Sequence, residues 1–173
     1  MNNDELAGKL DAIRNGDRIA FEELYIDLRT PIFTVINRIT WDKAVSEDIL
    51  QEFFVKLFLS PPTPHNNLRA YIFQIARNLA IDNVRKQTQK ISLDDISEIA
   101  HRPLEDFQLK MDIDDALKSI PTQECEIVTL HIIGGLTFRE IAEVLGIPSG
   151  TAKWKYQKAI SRLQIIIQGE DVK

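Results

Sequence analysis

Apolar residues recur along most of the chain at intervals of three and four, the spacing of helices with one buried side. From Thr137 to Leu145, Phe138, Ile141, Ala142 and Leu145 fall at i, i+3, i+4 and i+7. Thr137 is placed to cap this helix, with Glu140 three residues on to complete a capping box, and Gly146 supplies its stop. The short corner IPSG then leads to a second helix starting near Thr151. At 100° per residue, Ala152, Tyr156, Ala159, Ile160, Leu163, Ile166 and Ile167 gather on one side of that helix. Thr151, Lys155, Lys158 and Arg162 form a stripe elsewhere, which Lys153, Trp154 and Gln157 widen.

Two further helices are predicted upstream. Ser46 is expected to cap one that carries Glu47 and Asp48 in its first turn and buries Ile49, Leu50, Phe53, Phe54, Leu57 and Phe58. Asp48, Gln51 and Glu52 cluster opposite with Val55 among them, either a solvated acidic side or a docking patch for a basic protein surface. The turn cluster from Ser60 to Pro64 interrupts the helical pattern. The next helix buries Leu68, Tyr71, Ile72, Ile75, Ala76 and Leu79, and leaves Gln74, Arg77, Asn78, Ile81 and Arg85 on another flank. Cations mixed with amides and aromatics suit single-stranded nucleic acid, though an ordinary exposed helix reads the same way.

Composition adds little until charge is read locally. The chain has 173 residues, 44% hydrophobic and 27% charged, with net charge -5. The net charge is -4 over residues 1–60, +4 over 61–90, -7 over 91–126 and +2 over 127–173. Two basic islands thus sit in acidic surroundings, and screening lets each act locally on a polyanion. The expected fold is all-α: a helical domain over 1–90, an acidic linker over 91–107, and a helix-turn-helix domain over 108–173. The linker is expected to hold the two basic helices apart.

No apolar run is long enough for a membrane span, and the polar, acidic start argues against a secretory signal; a cytoplasmic protein is expected. The single cysteine, Cys125, permits no intrachain disulfide. His65, His101 and His131 are far apart, and no Gly-rich phosphate loop or metal-ligand spacing occurs. Neither enzymatic activity nor a metal or other cofactor is therefore expected, and His131 reads as a partly buried structural residue.

Four stretches, in order, carry a family resemblance: GDRIAFEELY, SEDILQEFFVKLF, LRAYIFQIARNLAIDNVRK, and LKSIPTQECEIVTLHIIGGLTFREIAEVLGIPSGTAKWKYQKAISRL. The chain resembles the small two-domain bacterial RNA polymerase sigma factors of the extracytoplasmic-function type. The resemblance implies a dissociable polymerase subunit that recognises and melts promoters. It assigns Asp48, Gln51, Glu52 and Val55 to the clamp helices of the polymerase's largest subunit. Asn66, Asn67, Leu68, Arg69, Tyr71, Arg77, Asn78, Asp82 and Arg85 would take the minus-10 element as single strand. Ser149, Thr151, Lys153, Trp154, Lys155, Lys158 and Arg162 would read the minus-35 duplex, in a domain that also touches the polymerase flap.

An anti-sigma partner is implied, and the acidic linker could stand in for RNA in the exit path. The chain departs from the family's GTVKSRxxRAxxxL at Ala152, Trp154, Lys155 and Lys158, and has Tyr71 where tryptophan is frequent. Lysine lacks arginine's bidentate fork for guanine, so the promoter sequence cannot be borrowed. The alternatives are a helix-turn-helix regulator that binds duplex DNA alone and a sigma-like interaction protein without productive promoter reading.

Overall fold

The computed structural model describes residues 1–63, 67–91 and 113–168. The described residues form eight helices and no strand. The first is α1 (Asn3–Arg14), capped by Asn2, whose side chain accepts from the Glu5 amide at 2.8 Å. Leu6, Leu10 and Ile13, at intervals of four and three, are its buried side. Gly16 turns the chain at a φ of 88°, and Asp17 caps α2 (Arg18–Thr40) by accepting from the Ile19 and Ala20 amides.

Helix α2 is the hub, packing against α1, α3, α4 and α6 through a stripe from Ala20 to Ile36. Pro31 lies within it and forgoes one backbone hydrogen bond without ending the helix. The helix stops at Trp41, a non-glycine residue in the left-handed region at a φ of 51°. That conformation costs about 1–2 kcal/mol for an L-residue. It places the indole between the Arg38 guanidinium (5.1 Å) and the Lys118 ammonium (5.2 Å) and against the C-terminal core, contacts that offset the cost.

Asp42, not Ser46, caps α3 (Lys43–Leu59), accepting from the Val45 amide at 3.0 Å. The left-handed stop at Trp41 makes the chain restart one turn earlier than the Ser46 cap requires. Ser46 is buried inside the helix, its hydroxyl 2.6 Å from the Asp42 carbonyl and 2.7 Å from the Thr40 hydroxyl. The helix ends at Ser60, where the prolines begin. Helix α4 (Leu68–Ile91) completes the N-terminal bundle, burying Leu68, Ile72, Phe73, Ala76 and Ala80.

The C-terminal half comprises α5 (Ile113–Ser119), α6 (Thr122–Ile132), α7 (Phe138–Leu145) and α8 (Ser149–Gln168). The two halves are not held apart. Helix α6 packs on α2 and α7 packs on α4, and one continuous core runs from Leu6 and Phe53 to Leu130, Ile141 and Ala152. A smaller core of Leu117, Ile120, Cys125, Val128 and Ala159 lies under Trp41 and α8. Burial there pushes the Cys125 thiol above its ordinary value. Of the linker expected over 91–107, residues 92–107 lie outside the described residues.

Three apolar expectations are corrected. Phe58 and Tyr71 are about two-fifths exposed, at 42% and 41%, and Ile167, in the last turn of α8, is 58% exposed. Phe58 lies in the last turn of α3, its ring edge-to-face with Phe21 of α2 at 4.9 Å. Phe73 takes the interior place on α4, because the C-terminal half covers a side of that helix that a single-domain pattern leaves open.

Candidate polymerase and nucleic-acid interfaces

Three surfaces emerge from these packings. The first is on α3, where Asp48, Gln51, Glu52 and Val55 are all exposed and follow one another at i, i+3, i+4 and i+7. Val55 is 55% exposed, and Glu52 is held by Lys56 at 2.8 Å. Beside this stripe an apolar groove of about 410 Å³ opens between α2 and α3, walled by Phe21, Tyr25, Phe54, Phe58 and Leu59. Edge-to-face ring packing, 4.9 Å from Phe21 to Phe58, joins α2 and α3 along this wall. Gln51 and Val55 of the stripe line this trough, while Asp48 and Glu52 are exposed on the same helix. The α2 residues of this trough were not singled out from the sequence, although Phe21 and Tyr25 lie in GDRIAFEELY.

The second surface, on α4, divides into two sets. Tyr71, Asn78, Asp82 and Arg85 are exposed, and their spacings of seven, four and three put them on one line along the helix. Arg69, Arg77 and Asn67 turn instead to the C-terminal half. Arg77 Nε donates to Glu126 Oε2 of α6 at 2.9 Å, with the arginine side chain 22% exposed. Arg69 Nη2 donates to the carbonyls of Gly134 and Gly135 at 2.9 and 3.0 Å, and Asn67 Nδ2 donates to Glu143 of α7. Leu68 is a core residue, 1% exposed, so its side chain is not available to a ligand; this corrects its place among the DNA contacts. Asn66 lies outside the described residues.

The third surface is the helix-turn-helix α7–α8. Thr137 Oγ1 accepts from the Glu140 amide, and Glu140 Oε2 accepts from the Thr137 amide at 2.8 Å, the reciprocal cap expected from the sequence. Gly146, at a φ of 65°, ends α7, and the Ile147 amide returns to the Ala142 carbonyl. Ala152 and Ala159 are fully buried, and side chains this small let α8 lie close on α7 and α6. His131 is structural: its ring stacks on Phe138 at 4.6 Å, and its Nδ1 lies 2.8 Å from the Leu136 carbonyl.

On the outer side of α8, Ser149, Lys153, Trp154 and Lys158 are exposed, while Thr151 and Lys155 are half-buried. Trp154 is 56% exposed, with the Lys158 ammonium 4.9 Å from its ring centroid. Arg162 is committed elsewhere, donating to the buried Glu124 of α6 at 2.7 Å. A cationic stripe in the sequence cannot reveal such a partner 38 residues away.

At the junction of the halves, Arg38 Nη2 donates to Asp114 at 2.6 Å. That hydrogen bond, ahead of all other influences, holds the Asp114 carboxyl below its ordinary value of 3.8. Among the described residues, no helix is long and apolar enough to cross a membrane.

Comparison with known proteins matches these surfaces to two adjacent family modules. The family model "Sigma-70 region 2" matches residues 24–90 and "Sigma-70, region 4" matches residues 110–163. The chain is 23% identical to the ECF RNA polymerase sigma factor SigM of Bacillus subtilis over 155 residues, covering 86% of this chain and 95% of that protein. It is 29% identical to RNA polymerase sigma factor SigV of the same organism, over 72% of this chain and 77% of that one. Among solved structures, the sigma factor RpoE of Bartonella quintana, in complex with the anti-sigma factor NepR, superposes with a TM-score of 0.69. That match has 21% identity over 87% of this chain and 98% of that one. CnrH, in complex with the cytosolic domain of CnrY, superposes with a TM-score of 0.67 and 17% identity over 98% of this chain and all of that one. Both regions in family order, relatives aligned over most of their length and the shared all-helical fold agree: the chain belongs to the sigma-70 family, as an extracytoplasmic-function RNA polymerase sigma factor that directs promoter-specific transcription initiation.

Proposed function

We propose that the three surfaces divide the work of initiation, with residues 1–90 as the polymerase-binding and melting unit and residues 108–173 as the upstream reader. Asp48, Gln51, Glu52 and Val55, with the trough beside them, dock on the clamp helices of the largest polymerase subunit. An apolar trough beside a helix stripe that carries Asp48 and Glu52 fits a basic amphipathic helix: the apolar area supplies affinity, and the charges supply orientation. The C-terminal half also meets the flap.

The line of Tyr71, Asn78, Asp82 and Arg85 receives the opened minus-10 strand. This alignment of aromatic, amide and cation along one helix is the observation that carries the reading, because unpaired bases are held by stacking and their backbone by cations. Magnitudes limit what the helix does alone. Extruding a base costs a few kcal/mol, and stacking on one aromatic returns about 1–3 kcal/mol. Tyr71 therefore offsets roughly one base, and stable opening requires the core enzyme. Arg69, Arg77 and Asn67 join this surface when their present partners leave.

Ser149, Thr151, Lys153, Trp154, Lys155 and Lys158 face the minus-35 duplex, lysines on phosphates and the indole toward base edges. Arg162, tied to Glu124, holds α8 in place. The subunit performs no covalent chemistry, needs no cofactor and acts with the polymerase in the cytoplasm. The match to two sigma factors solved with anti-sigma partners supports a similar antagonist here.

Run-off transcription with purified core polymerase tests the whole. The wild-type chain yields start-site-specific transcripts only when core is present. Asp48→Arg with Glu52→Arg removes both transcription and core binding while the helical circular-dichroism signal persists. Sequence-specific duplex binding without any core-dependent transcript would instead make the chain a stand-alone regulator.

A further inference from the structure

Helix α8 presents an uncharged centre between two cations. At 100° per residue, Gly150, Trp154, Gln157 and Ser161 fall within about 60° of one another on its exposed side. Lys153 and Lys158, also exposed, flank that line on opposite sides. The only arginine of the helix, Arg162, is bound to Glu124 at 2.7 Å. The two lysines are therefore placed for phosphates on either wall of a groove, and the groups that reach its floor are an indole and an amide.

Trp154 is 56% exposed, although its residue type is mostly buried in folded chains. The Lys158 ammonium lies over the ring, 4.9 Å from its centroid, because side chains four apart lean together toward the N-terminus of their helix. One face of the indole is thus covered by a cation, which leaves the apolar rim for a partner. One turn earlier, at Gly150, an added Cβ would meet nothing within 4 Å, so the approach to that rim is open. Gln157 stands about 4.5 Å farther along the helix axis than Trp154, close to the ~3.4 Å between successive base pairs.

We propose that Trp154 and Gln157 make α8 a reader of A·T pairs: the indole rim packs on the C5-methyl group of a thymine in the major groove, and the Gln157 amide pairs with N6 and N7 of an adenine at the same or the next base pair. The proposal rests on the assignment of α8 to the minus-35 duplex. Thymine is the base that carries an apolar group in the major groove, and glutamine matches adenine by donating to N7 and accepting from N6. Guanine is read best by an arginine fork, and α8 has no guanidinium free to make one. Lys158, held on the ring, keeps its charge at the wall of the groove, where it meets a phosphate without fixing sequence.

The test uses the full chain assembled with core polymerase and a pool of promoter duplexes randomised over about one helical turn of the upstream element. Sequencing of the bound fraction should return one or two adjacent A·T pairs in a fixed orientation, and Trp154→Ala and Gln157→Ala should each relax that preference. In the selected duplex, uracil in place of the contacted thymine removes the methyl group alone. It should weaken binding about 4-fold, the worth of one buried methyl group, and leave the salt slope unchanged. Trp154→Ala should abolish the uracil effect and Trp154→Phe should restore it. Replacing the adenine by 7-deazaadenine, which lacks the N7 acceptor, should cost about 5-fold in the wild type and nothing in Gln157→Ala. Both residues are exposed, so the variants keep the fold, which an unchanged thermal midpoint checks.

A selected element without A·T preference, or a uracil penalty that persists in Trp154→Ala, overturns the proposal. So does a Trp154→Ala variant that loses core affinity with its sequence preference intact, since the indole then meets a protein surface. Lys153→Ala separates the proposal from the assignment beneath it. A salt slope lowered by about one unit with no uracil effect removes the thymine contact and leaves α8 on the duplex. An unchanged slope, with the sequence preference unchanged in the Trp154 and Gln157 variants, takes α8 off the duplex and the proposal with it.

Discussion

Two buried glutamates stand two residues apart on α6 and serve different ends. Glu124 accepts from Arg162 of α8, within its own half, whereas Glu126 accepts from Arg77 of α4, across the seam. Both carboxylates are almost removed from water, and both partners are arginines that a charge stripe would assign to DNA. The difference lies in what each pair restrains. The first holds α8 on α6, and the second holds the two halves together. Two similar ion pairs thus have separate consequences, one for the stability of a unit and one for its arrangement.

The largest effect should come from the residue that follows them, Ile127, in the continuous core. Ile127→Ala removes a fully buried side chain and should cost about 2–5 kcal/mol. Because the core crosses the seam, calorimetry should show one transition for both halves; two transitions, with only the second lowered, would mean that the halves unfold independently. Next, Glu124→Ala leaves Arg162 unpaired. Breaking a buried pair costs ~3–5 kcal/mol, and because Arg162 is one-third exposed the loss should be nearer about 1–3 kcal/mol, read as a lower thermal midpoint.

Glu126→Gln should change the midpoint less, since Arg77 gains access to water when the seam loosens, and scattering rather than calorimetry should register it. If Glu124→Ala expands the chain more than Glu126→Gln does, the contrast between the two pairs fails. Smaller still, Lys158→Ala should leave stability within about 0.5 kcal/mol but reduce the salt slope of duplex binding by roughly one unit. An unchanged slope takes Lys158 out of the phosphate contacts.

Acid should add little. Asp114 is held below its ordinary 3.8 by Arg38, so its contribution to closure is complete above that value and is lost as pH falls through the lower folded value. Compactness that changes between about pH 6 and 8 would need another group.

Much of the fold was legible because local signals agreed. The Thr137 capping box, the Gly146 stop and the apolar stripe after them specify the helix-turn-helix without reference to anything distant. Likewise, Asp48, Gln51, Glu52 and Val55 had to share a side once the helix existed. Ser46 failed as a cap because Asp42, one turn earlier, offered the same chemistry, and the Trp41 stop set which of them begins the helix. Phe58 and Tyr71 failed because an apolar residue on a helix wheel is buried only if a neighbour covers it.

From its periodicities and caps alone the chain determines which residues face together on each helix, since 3.6 residues per turn is a property of the backbone. Which of those sides meet each other was decided by the tertiary structure, through partners dozens of residues apart. Arg77, Arg85 and Arg162 read alike in the sequence, yet packing pairs the first across the seam, exposes the second and buries the partner of the third. The availability of a guanidinium depends on the oxygens that reach it, and only the folded chain brings those oxygens within 3 Å.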